Sequence, residues 1–309
     1  MIGTLPRLGF IGVGAMGLPM ARNLLRAGYP LAFCTRRDAA AEVLGAVGGA
    51  RLADASAVAA ACDVLLTCLP ADAEIAATLL GEAGALAVLR PGATIIELST
   101  ASPEIVRALA EAGAPRDIAI LDAPVSGGVG GAEGASLSIM VGGEAATLER
   151  HRPILAAIGR QIYHVGPVGM GKIFKLCNQY LNGATTALVG EALTLGAKAG
   201  ADLALLVEVL SASSGASRAL TGAAPALLTA TLPPVGMRLD LMRKDLRLAL
   251  ALGDGIGVPM ATGAVAYQLY TAASAGGLGG RNSTELGKLI AQLADTDLAA
   301  REPETDEPA

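Results

Sequence analysis

The chain contains little with which to hold a metal ion. Its only histidines are His151 and His164. Its four cysteines, none of them in C-x-x-C spacing, are Cys34, Cys62, Cys68 and Cys177. Because protein zinc sites gather these residue types at short spacing, we expect no metal centre. We interpret the cysteines as buried thiols of a protein in a reducing cytoplasm.

Positive charge is also scarce, with 23 Lys and Arg against 28 Asp and Glu and a formal net charge of −5. No basic cluster is present that would bind a phosphate backbone, which argues against nucleic acid as a partner.

Residues 255–280 carry no charge, but Pro259 and seven glycines interrupt them. The continuous apolar part, 260–275, is shorter than the roughly 20 residues of a membrane span, so we expect a buried helix there. The first residues run into a strand without a signal-peptide pattern, which favours a cytoplasmic protein.

Short β-rich runs alternate with alanine-rich helical segments over the first 166 residues. The runs are LGFI, LAFC, VLLTCL, TIIEL, IAIL, LSIMV and QIYHV. This alternation is typical of a parallel, doubly wound sheet. The sequence therefore predicts an α/β nucleotide-binding domain over residues 1–166.

Beyond Gly169 the strand pattern stops and the sequence becomes helical. The helical segments are interrupted at SSGAS, TLPPVG, GDGIGVP and AGGLGGRNS. We predict an all-helical domain over 167–294 for substrate binding and dimerisation, which begins with a long interdomain helix ending near Gly200. The acidic residues 295–309 are predicted to form a disordered tail.

A glycine motif follows the first run. In GFIGVGAMGLPMARNLLRAG, the glycines Gly12, Gly14 and Gly17 have G-x-G-x-x-G spacing. The spacing alone is weak evidence in a chain with 40 glycines, and a purely structural turn is the alternative. Here the motif follows a strand and opens a helix, as a dinucleotide-binding loop requires. We predict that the loop, including Ala15 and Met16, binds the pyrophosphate of a dinucleotide.

The end of the second run indicates which dinucleotide is bound. The sequence there is CTRRD, in which Thr35, Arg36 and Arg37 stand where an NAD enzyme would carry an acid for the ribose diol. A hydroxyl and two guanidinium groups suit a 2'-phosphate, which favours NADP. The alternative is that the arginines are surface charges and that Asp38 is a displaced acid, which would favour NAD.

Three other predicted strands end at, or are closely followed by, residues that can line a ligand site. These residues are Leu69 and Pro70, Ser99 and Thr100, and Ser126, Gly127 and Gly128. Ligands of such sheets bind beyond the carboxyl ends of the strands, so we expect these residues at the same edge as the glycine loop. The Ser-Gly-Gly turn can form an anion nest for a substrate carboxylate, although a simple hairpin-like turn is the alternative.

The stretch GKIFKLCNQ places Lys175 in an unusual setting, because no charged residue follows it until Glu191. Residues 175, 178, 182 and 185 or 186 are polar and share one face of the predicted helix. One interpretation is a lysine whose ammonium extends to solvent. The other is a lysine held out of solvent, in a setting without counter-charges that favours loss of its proton. We expect Lys172 to face water.

Five motifs in order resemble those of the β-hydroxyacid dehydrogenases over nearly the whole chain. They are GFIGVGAMGLPMARNL, LSTASP, DAPVSGGVGGAEGASLSIMVGG, GMGKIFKLCNQ and KDLRLAL. The resemblance implies a Rossmann-type sheet followed by an all-α domain like that of 6-phosphogluconate dehydrogenase. It also implies a homodimer or homotetramer formed through the helical domain. The reaction it implies is reversible reduction of a short semialdehyde acid with NADP, with NAD possible.

The same resemblance assigns roles to individual residues. Lys175 would be the catalytic acid/base that gives the substrate oxygen its proton, since neither histidine is suitably placed for that work, and Asn178 would assist it. Ser126, Gly127 and Gly128 would hold the substrate carboxylate. Thr100 and Lys244 would contact substrate or nicotinamide, with Asp245 supporting Lys244. Glu97 stands where the family more often has aspartate, a change that we interpret as conservative.

Within the family, two sequence features bear on the identity of the substrate. The NQ after Lys175 and the segment GMRLDLMRKDL look most like tartronate semialdehyde (2-hydroxy-3-oxopropionate) reductases, which form glycerate. The 3-hydroxyisobutyrate dehydrogenases more often have asparagine in place of Gln179, and they remain an alternative, as do succinic semialdehyde and glyoxylate reductases. Imine reductases share the fold but generally lack this lysine. A non-catalytic NADP-binding regulator would have no reason to keep Lys175, Asn178 and Ser126 together.

Overall fold

The computed structural model describes residues 5–81, 84–229 and 236–298. The chain divides into two compact units, one from Met1 to Leu176 and the other from Cys177 to Ala309. The dividing point falls inside a long helix, Met170–Lys198, whose predicted end near Gly200 is confirmed. Our predicted boundary at residue 166 lies just before this helix. The predicted tail falls mostly on residues 299–309, outside the described residues.

The first unit is built on one nine-stranded sheet. Its strands are β1 Leu8–Ile11, β2 Leu31–Cys34, β3 Ala50–Arg51, β4 Val64–Thr67, β5 Thr94–Glu97, β6 Ala119–Asp122, β7 Val125–Ser126, β8 Leu137–Gly142 and β9 Gly159–Gly166. The strand order is β3-β2-β1-β4-β5-β6-β8-β7, with β9 paired to β8. All seven predicted runs form strands, and the doubly wound architecture is confirmed. The two-residue strands β3 and β7 were not predicted.

The sheet is parallel from β3 to β6, but β8 runs antiparallel to both β6 and β7. The reason is the length of the connections. Only residues 123 and 124 separate β6 from β7, and residues 127–136 separate β7 from β8. A parallel crossover needs a dozen or more residues, so the chain returns in the opposite direction here.

Within the described residues of the first unit, eight α-helices accompany the sheet. They are α1 Gly17–Arg26, α2 Asp38–Gly45, α3 Ala55–Ala61, α4 Asp72–Leu79, α5 Ala85–Val88, α6 Pro103–Gly113, α7 Gly128–Glu133 and α8 Ala145–Ala156. Successive strand residues enter two different apolar clusters: Leu66 and Ile96 lie in one, Leu65 and Ile95 in the other. Because neighbouring side chains of a strand point to opposite faces, both faces of the sheet are covered, as parallel sheets require.

The second unit is helical. Its helices are the remainder of α9 Met170–Lys198, then α10 Leu203–Ser211, α11 Arg218–Leu228, α12 Leu239–Gly255, α13 Ala261–Ala273 and α14 Leu286–Leu293. The predicted breaks at 213–217, 253–259 and 275–283 are confirmed, whereas TLPPVG lies almost wholly outside the described residues. In the described ranges of the chain, no helix is both long enough and apolar enough to cross a membrane.

Candidate active site

The three glycines of the G-x-G-x-x-G motif have different surroundings. Gly12 has φ +94°, and a Cβ there would lie 2.2 Å from the Cys68 carbonyl oxygen at the end of β4. A Cβ on Gly17 would lie 2.0 Å from the Gly12 carbonyl oxygen. A Cβ on Gly14 would meet nothing within 4 Å. The outer glycines therefore allow the loop to pack on the sheet, and the middle one faces open space where a pyrophosphate can approach.

Arg37, which follows β2, lies beside this loop. The Nη2 atom of Arg37 donates a hydrogen bond to the carbonyl oxygen of Val13, inside the glycine motif. Sequence reasoning missed a third guanidinium, that of Arg51 on β3. Its Nη1 lies 2.9 Å from Asp38 Oδ1, and its Nη2 donates to the Thr35 carbonyl oxygen at 2.9 Å. The carboxylate of Asp38 is thus paired with an arginine.

The loops that follow β4 and β5 are joined by a buried network around Glu97. The Oγ of Ser99 accepts from the Leu69 backbone N–H at 2.7 Å and donates to Glu97 Oε1. The same Oε1 accepts from the Ser99 backbone N–H at 3.1 Å and from Thr67 Oγ1 at 3.4 Å. Glu97, Thr67 and Ser99 are all buried. The network fixes the backbone immediately before Thr100 and at Leu69, two of the predicted cofactor-binding positions.

Lys172 completes this network, and our expectation that it faces water is wrong. Its side chain is fully buried and forms an ion pair with Glu97, whose side chain is also fully buried. Its Nζ donates to Glu97 Oε2, to the Glu97 carbonyl oxygen at 3.0 Å and to the Ser99 carbonyl oxygen at 2.7 Å. An ammonium has three N–H donors, and here three oxygens accept them. A buried lysine is tolerated because its charge is paired and its donors are satisfied.

The start of α9 is held by Asp122, at the end of β6. Its Oδ1 accepts from the Gly169 backbone N–H at 2.9 Å and its Oδ2 from the Lys172 backbone N–H at 3.0 Å. Burial raises the pKa of this carboxyl, although the Lys172 charge and these hydrogen bonds oppose the shift. A Cβ on Gly171 would lie 2.4 Å from the Asp122 carbonyl oxygen, so glycine permits the close approach. The first turn of α9 is therefore fixed to the carboxyl edge of the sheet.

Lys175 lies one turn further along α9. It is buried, which argues against the alternative interpretation that its ammonium extends to solvent. The predicted polar face is only partly buried, because Asn178 is half-buried and Asn182 is exposed. Another stripe of the same helix is exposed instead, and it consists of Phe174, Cys177, Leu181, Leu188 and Leu195. The expectation that all four thiols are buried is wrong, because Cys177 is exposed. Cys62 is buried, and Cys34 and Cys68 are half-buried.

The predicted carboxylate-binding turn lies between β7 and α7. Gly127 has φ +135° and Gly128 has φ +65°, conformations that favour glycine at both positions. The turn opens a helix that begins at Gly128, and it is therefore not a tight hairpin. Ser126 is half-buried and both glycines are exposed, so their polar groups remain accessible.

In the second unit, Asn178 and Lys244 are connected through Gln179 and Asp245. Asn178 Nδ2 donates to Gln179 Oε1 at 3.1 Å, and Gln179 Nε2 donates to Asp245 Oδ2 at 2.6 Å. The other carboxylate oxygen of Asp245 lies 2.9 Å from Lys244 Nζ, an ion pair rather than a well-aligned hydrogen bond. Asp245 and Gln179 are buried. The sequence indicated the Lys244–Asp245 pair but gave no sign of the contact from Gln179 on α9 to α12.

Comparison with known proteins agrees with this architecture. A family model described as the NAD binding domain of 6-phosphogluconate dehydrogenase matches residues 7–166. A second, described as NAD-binding of NADP-dependent 3-hydroxyisobutyrate dehydrogenase, matches residues 169–290. Together with the glycine loop at the edge of a doubly wound sheet, these matches define a nicotinamide-nucleotide oxidoreductase.

Individual relatives define the family more closely. The chain is 40% identical over 272 residues to the 3-hydroxyisobutyrate dehydrogenase of Pseudomonas aeruginosa, covering 85% of the chain and 91% of that relative. It is 34% identical over 297 residues to the 2-hydroxy-3-oxopropionate reductase of Escherichia coli, covering 95% of the chain and 100% of that relative. A solved structure of Psf3 in complex with NADP+ and 2-OPP superposes with TM-score 0.83 at 25% identity, covering 92% and 99% of the two chains. The chain belongs to the β-hydroxyacid dehydrogenase family.

Proposed function

We propose that the protein is an NADP(H)-dependent enzyme that reversibly reduces a short semialdehyde acid to a β-hydroxy acid. The observation that carries the proposal is the setting of Lys175, which is buried on the second turn of a helix whose first turn is anchored to the sheet by Asp122 and Lys172. A lysine held in this way has a fixed position from which to give or take a proton.

The chemistry follows from the charge that the reaction creates. When bound, the nicotinamide supplies a hydride to the aldehyde carbon or accepts one from the alcohol. Reduction places negative charge on the substrate oxygen, and Lys175 donates a proton to that oxygen as the charge develops. In the reverse direction the neutral amine of Lys175 takes the proton from the hydroxyl. Asn178, three residues along the same helix, orients the lysine or hydrogen-bonds the substrate oxygen.

The acid group of the substrate needs a separate site. We assign it to Ser126, Gly127 and Gly128, whose hydroxyl and backbone N–H groups suit an anion. Thr100 and Lys244 are assigned contacts with substrate or nicotinamide. The buried network around Glu97 supports this assignment, because it fixes the backbone that leads into Thr100.

NADP is the proposed cofactor. Arg36, Arg37 and Arg51 place three guanidinium groups after β2 and on β3, and the nearby carboxylate of Asp38 is already paired with Arg51. Because Arg51 offsets the charge of this exposed carboxylate, Asp38 opposes a 2'-phosphate only weakly, and the guanidinium groups of Arg36 and Arg37 suit that phosphate. The solved relative Psf3 is bound to NADP+, which supports the same assignment. Gly12, Gly14, Ala15, Met16 and Gly17 are assigned to the pyrophosphate, and Leu69 and Pro70 line the cofactor.

Tartronate semialdehyde is our first candidate substrate, with glycerate as its product. Gln179 and the segment around Lys244 favour it, and a relative named 2-hydroxy-3-oxopropionate reductase matches over its whole length. Methylmalonate semialdehyde, reduced to 3-hydroxyisobutyrate, has equal support, since a relative named 3-hydroxyisobutyrate dehydrogenase is 40% identical to the chain over 272 residues. Both substrates are three-carbon aldehyde chains ending in a carboxylate, and they differ in a hydroxyl against a methyl group.

A substrate panel decides between them. Tartronate, methylmalonate and succinic semialdehydes and glyoxylate are each offered with NADPH and with NADH, and oxidation of the cofactor is followed by absorbance. We expect the highest kcat/KM for tartronate semialdehyde with NADPH. Preference for methylmalonate semialdehyde would select the second candidate. No reduction of any of the four aldehydes would contradict the proposed function.

We also propose a cytoplasmic homodimer or homotetramer that assembles through the helical unit. The exposed leucines Leu181, Leu188 and Leu195 support this assembly, because they recur every seven residues along α9. Sedimentation analysis of the purified protein tests it, and a monomer at micromolar concentration would contradict it.

A further inference from the structure

One contact in the second unit joins two residues to which the proposed function gives separate roles. Gln179 lies on α9 next to Asn178, and its amide also reaches Asp245 on α12, the ion-pair partner of Lys244. Side chains at adjacent helical positions point in directions about 100° apart, so they do not normally meet. The length of the glutamine side chain allows it to bond Asn178 and Asp245 at once.

The chemistry of the three groups fixes the direction of every hydrogen bond. A carboxylate such as that of Asp245 only accepts, so Gln179 must turn its Nε2 toward it. The Oε1 of Gln179 then faces Asn178, which must in turn present its Nδ2. The Oδ1 of Asn178 is thereby directed away from Gln179, as an acceptor for an ammonium or a hydroxyl. The negative charge of Asp245 thus decides which way the amide of Asn178 faces.

Burial makes this arrangement sensitive to change. Gln179 and Asp245 are 5% and 1% exposed. A buried carboxylate oxygen that loses its donor is left unsatisfied, and a charged group in that state is strongly disfavoured. The free energy is lowered if Asp245 moves toward another donor, and such a movement would also displace its ion-pair partner Lys244.

We propose that Gln179 is a positioning residue that orients the amide of Asn178 and the ammonium of Lys244 together. This inference rests on the proposed reductase activity. The residue touches neither the reacting atoms nor the cofactor in this role, and it acts through its two neighbours.

Two substitutions of Gln179 test the link, one by removing its hydrogen bonds and the other by shortening the side chain. Gln179→Met keeps the volume but removes both hydrogen bonds, and we expect kcat for the best semialdehyde to fall roughly tenfold to a hundredfold. The Kd for NADPH should change less than threefold, because its phosphates are assigned to the first unit. Gln179→Asn is one methylene too short to span the gap. Adding Asp245→Glu to Gln179→Asn restores that methylene from the other side, and we expect the pair to recover at least fivefold of the lost kcat.

A third substitution gives a readout that a purely structural role would not produce. In Gln179→Glu, a protonated carboxyl reproduces the amide, since its O–H can donate to Asp245 and its carbonyl oxygen can accept from Asn178. Beside Asp245 the new carboxyl should keep its proton to an unusually high pH, because two carboxylates cannot easily share the site. The kcat of this variant relative to wild type should therefore be near one at acidic pH and fall at least tenfold as pH rises.

The matched control is Thr194→Val, on the same helix. Thr194 is also buried and polar, and its Oγ1 donates to the Gly190 carbonyl oxygen at 2.7 Å within α9. We expect its loss to lower the melting temperature but to leave kcat within twofold of wild type. A Gln179→Met variant with wild-type kcat, or a Gln179→Glu ratio that does not change with pH, would overturn the inference and leave the proposed function standing. A wild-type protein that reduces none of the four aldehydes would overturn both.

Discussion

Lys172 and Glu97 form an ion pair in which both side chains are fully buried, although 75 residues separate them along the chain. The pair connects the first turn of α9 to the carboxyl end of β5. Because Lys172 also donates to the backbone of Glu97 and Ser99, it links the helix that carries Lys175 to the loop that carries Thr100.

Removing one member of this pair should be more harmful than removing both. Lys172→Met leaves the Glu97 carboxylate buried without its counter-charge, and we expect the free energy of unfolding to fall by about 3–5 kcal/mol. The double variant Lys172→Met, Glu97→Gln should be more stable than Lys172→Met alone. Urea unfolding followed by circular dichroism measures both. Lys198→Met is the control, since that lysine is exposed and its loss should cost about 0.5 kcal/mol or less. A Lys172→Met variant as stable as this control would contradict the role of the pair.

The arginines after β2 should select the cofactor. Arg36→Ser together with Arg37→Ser should raise KM for NADPH roughly tenfold or more, because charge-assisted hydrogen bonds contribute about 1.5–3 kcal/mol each. KM for NADH should barely change, since NADH has no 2'-phosphate. Adding Thr35→Asp should shift preference further toward NADH. Steady-state kinetics with each cofactor measures these effects.

The control for the cofactor prediction is Arg26→Ser. Arg26 is exposed in the last turn of α1, at the opposite end of that helix from the glycine loop. Its loss should leave both KM values within twofold. Equal weakening of NADPH and NADH in the Arg36, Arg37 variant would show that the arginines do not recognise the 2'-phosphate. Preference of the wild-type enzyme for NADH would do the same.

The pH dependence of turnover should reveal the proton donor. If Lys175 must be protonated to reduce an aldehyde, kcat/KM for reduction falls as pH rises through the pKa of its ammonium. Oxidation of the alcohol needs the neutral amine, so its kcat/KM rises over the same interval. Rates in both directions are measured from neutral to alkaline pH, with a deuterated cofactor to show that hydride transfer limits the rate. Profiles that stay flat in both directions would exclude Lys175 as the donor.

His151 should make stability fall in mild acid. It is buried, its Nε2 lies 2.9 Å from Thr94 Oγ1, and burial lowers its pKa below the ordinary value near 6.5. The neutral form is favoured in the folded state, so its stabilisation is present above about pH 6.5 and is lost as pH falls through the lowered pKa. One proton changes the free energy of unfolding by at most about 1.4 kcal/mol per pH unit. Urea unfolding from pH 7 to pH 5 should show a shallower decline for His151→Gln than for wild type, and identical slopes would contradict this account.

Local sequence patterns predicted the strands and helices. They did not predict which residues are buried or exposed where that depends on contacts between distant parts of the chain. The strands β1, β4 and β5 were predictable because each contains adjacent apolar residues, as strands buried on both faces do. The burial of Lys172 was not predictable, because its counter-charge comes from Glu97 on a distant strand. The exposure of Leu181 on α9 was missed for a similar reason, since periodicity defines the faces of a helix but not which face packs.

In the candidate site too, local features could be predicted from the sequence and contacts between separate elements could not. The glycine loop and the Lys175 segment follow from spacing and composition, because each depends on neighbours in the sequence. The contact of Arg51 with Asp38 and that of Gln179 with Asp245 join separate elements. No local pattern in the sequence indicates either one.

The most direct test of the whole account is the turnover of Lys175→Ala with the best semialdehyde, measured together with its Kd for NADPH. We expect kcat to fall by about 10² to 10⁴, because a general acid is lost, while Kd stays within threefold of wild type. Lys198→Ala, which removes an exposed lysine near the other end of α9, should retain wild-type turnover. Wild-type turnover in Lys175→Ala would contradict the central claim that this buried lysine supplies the proton.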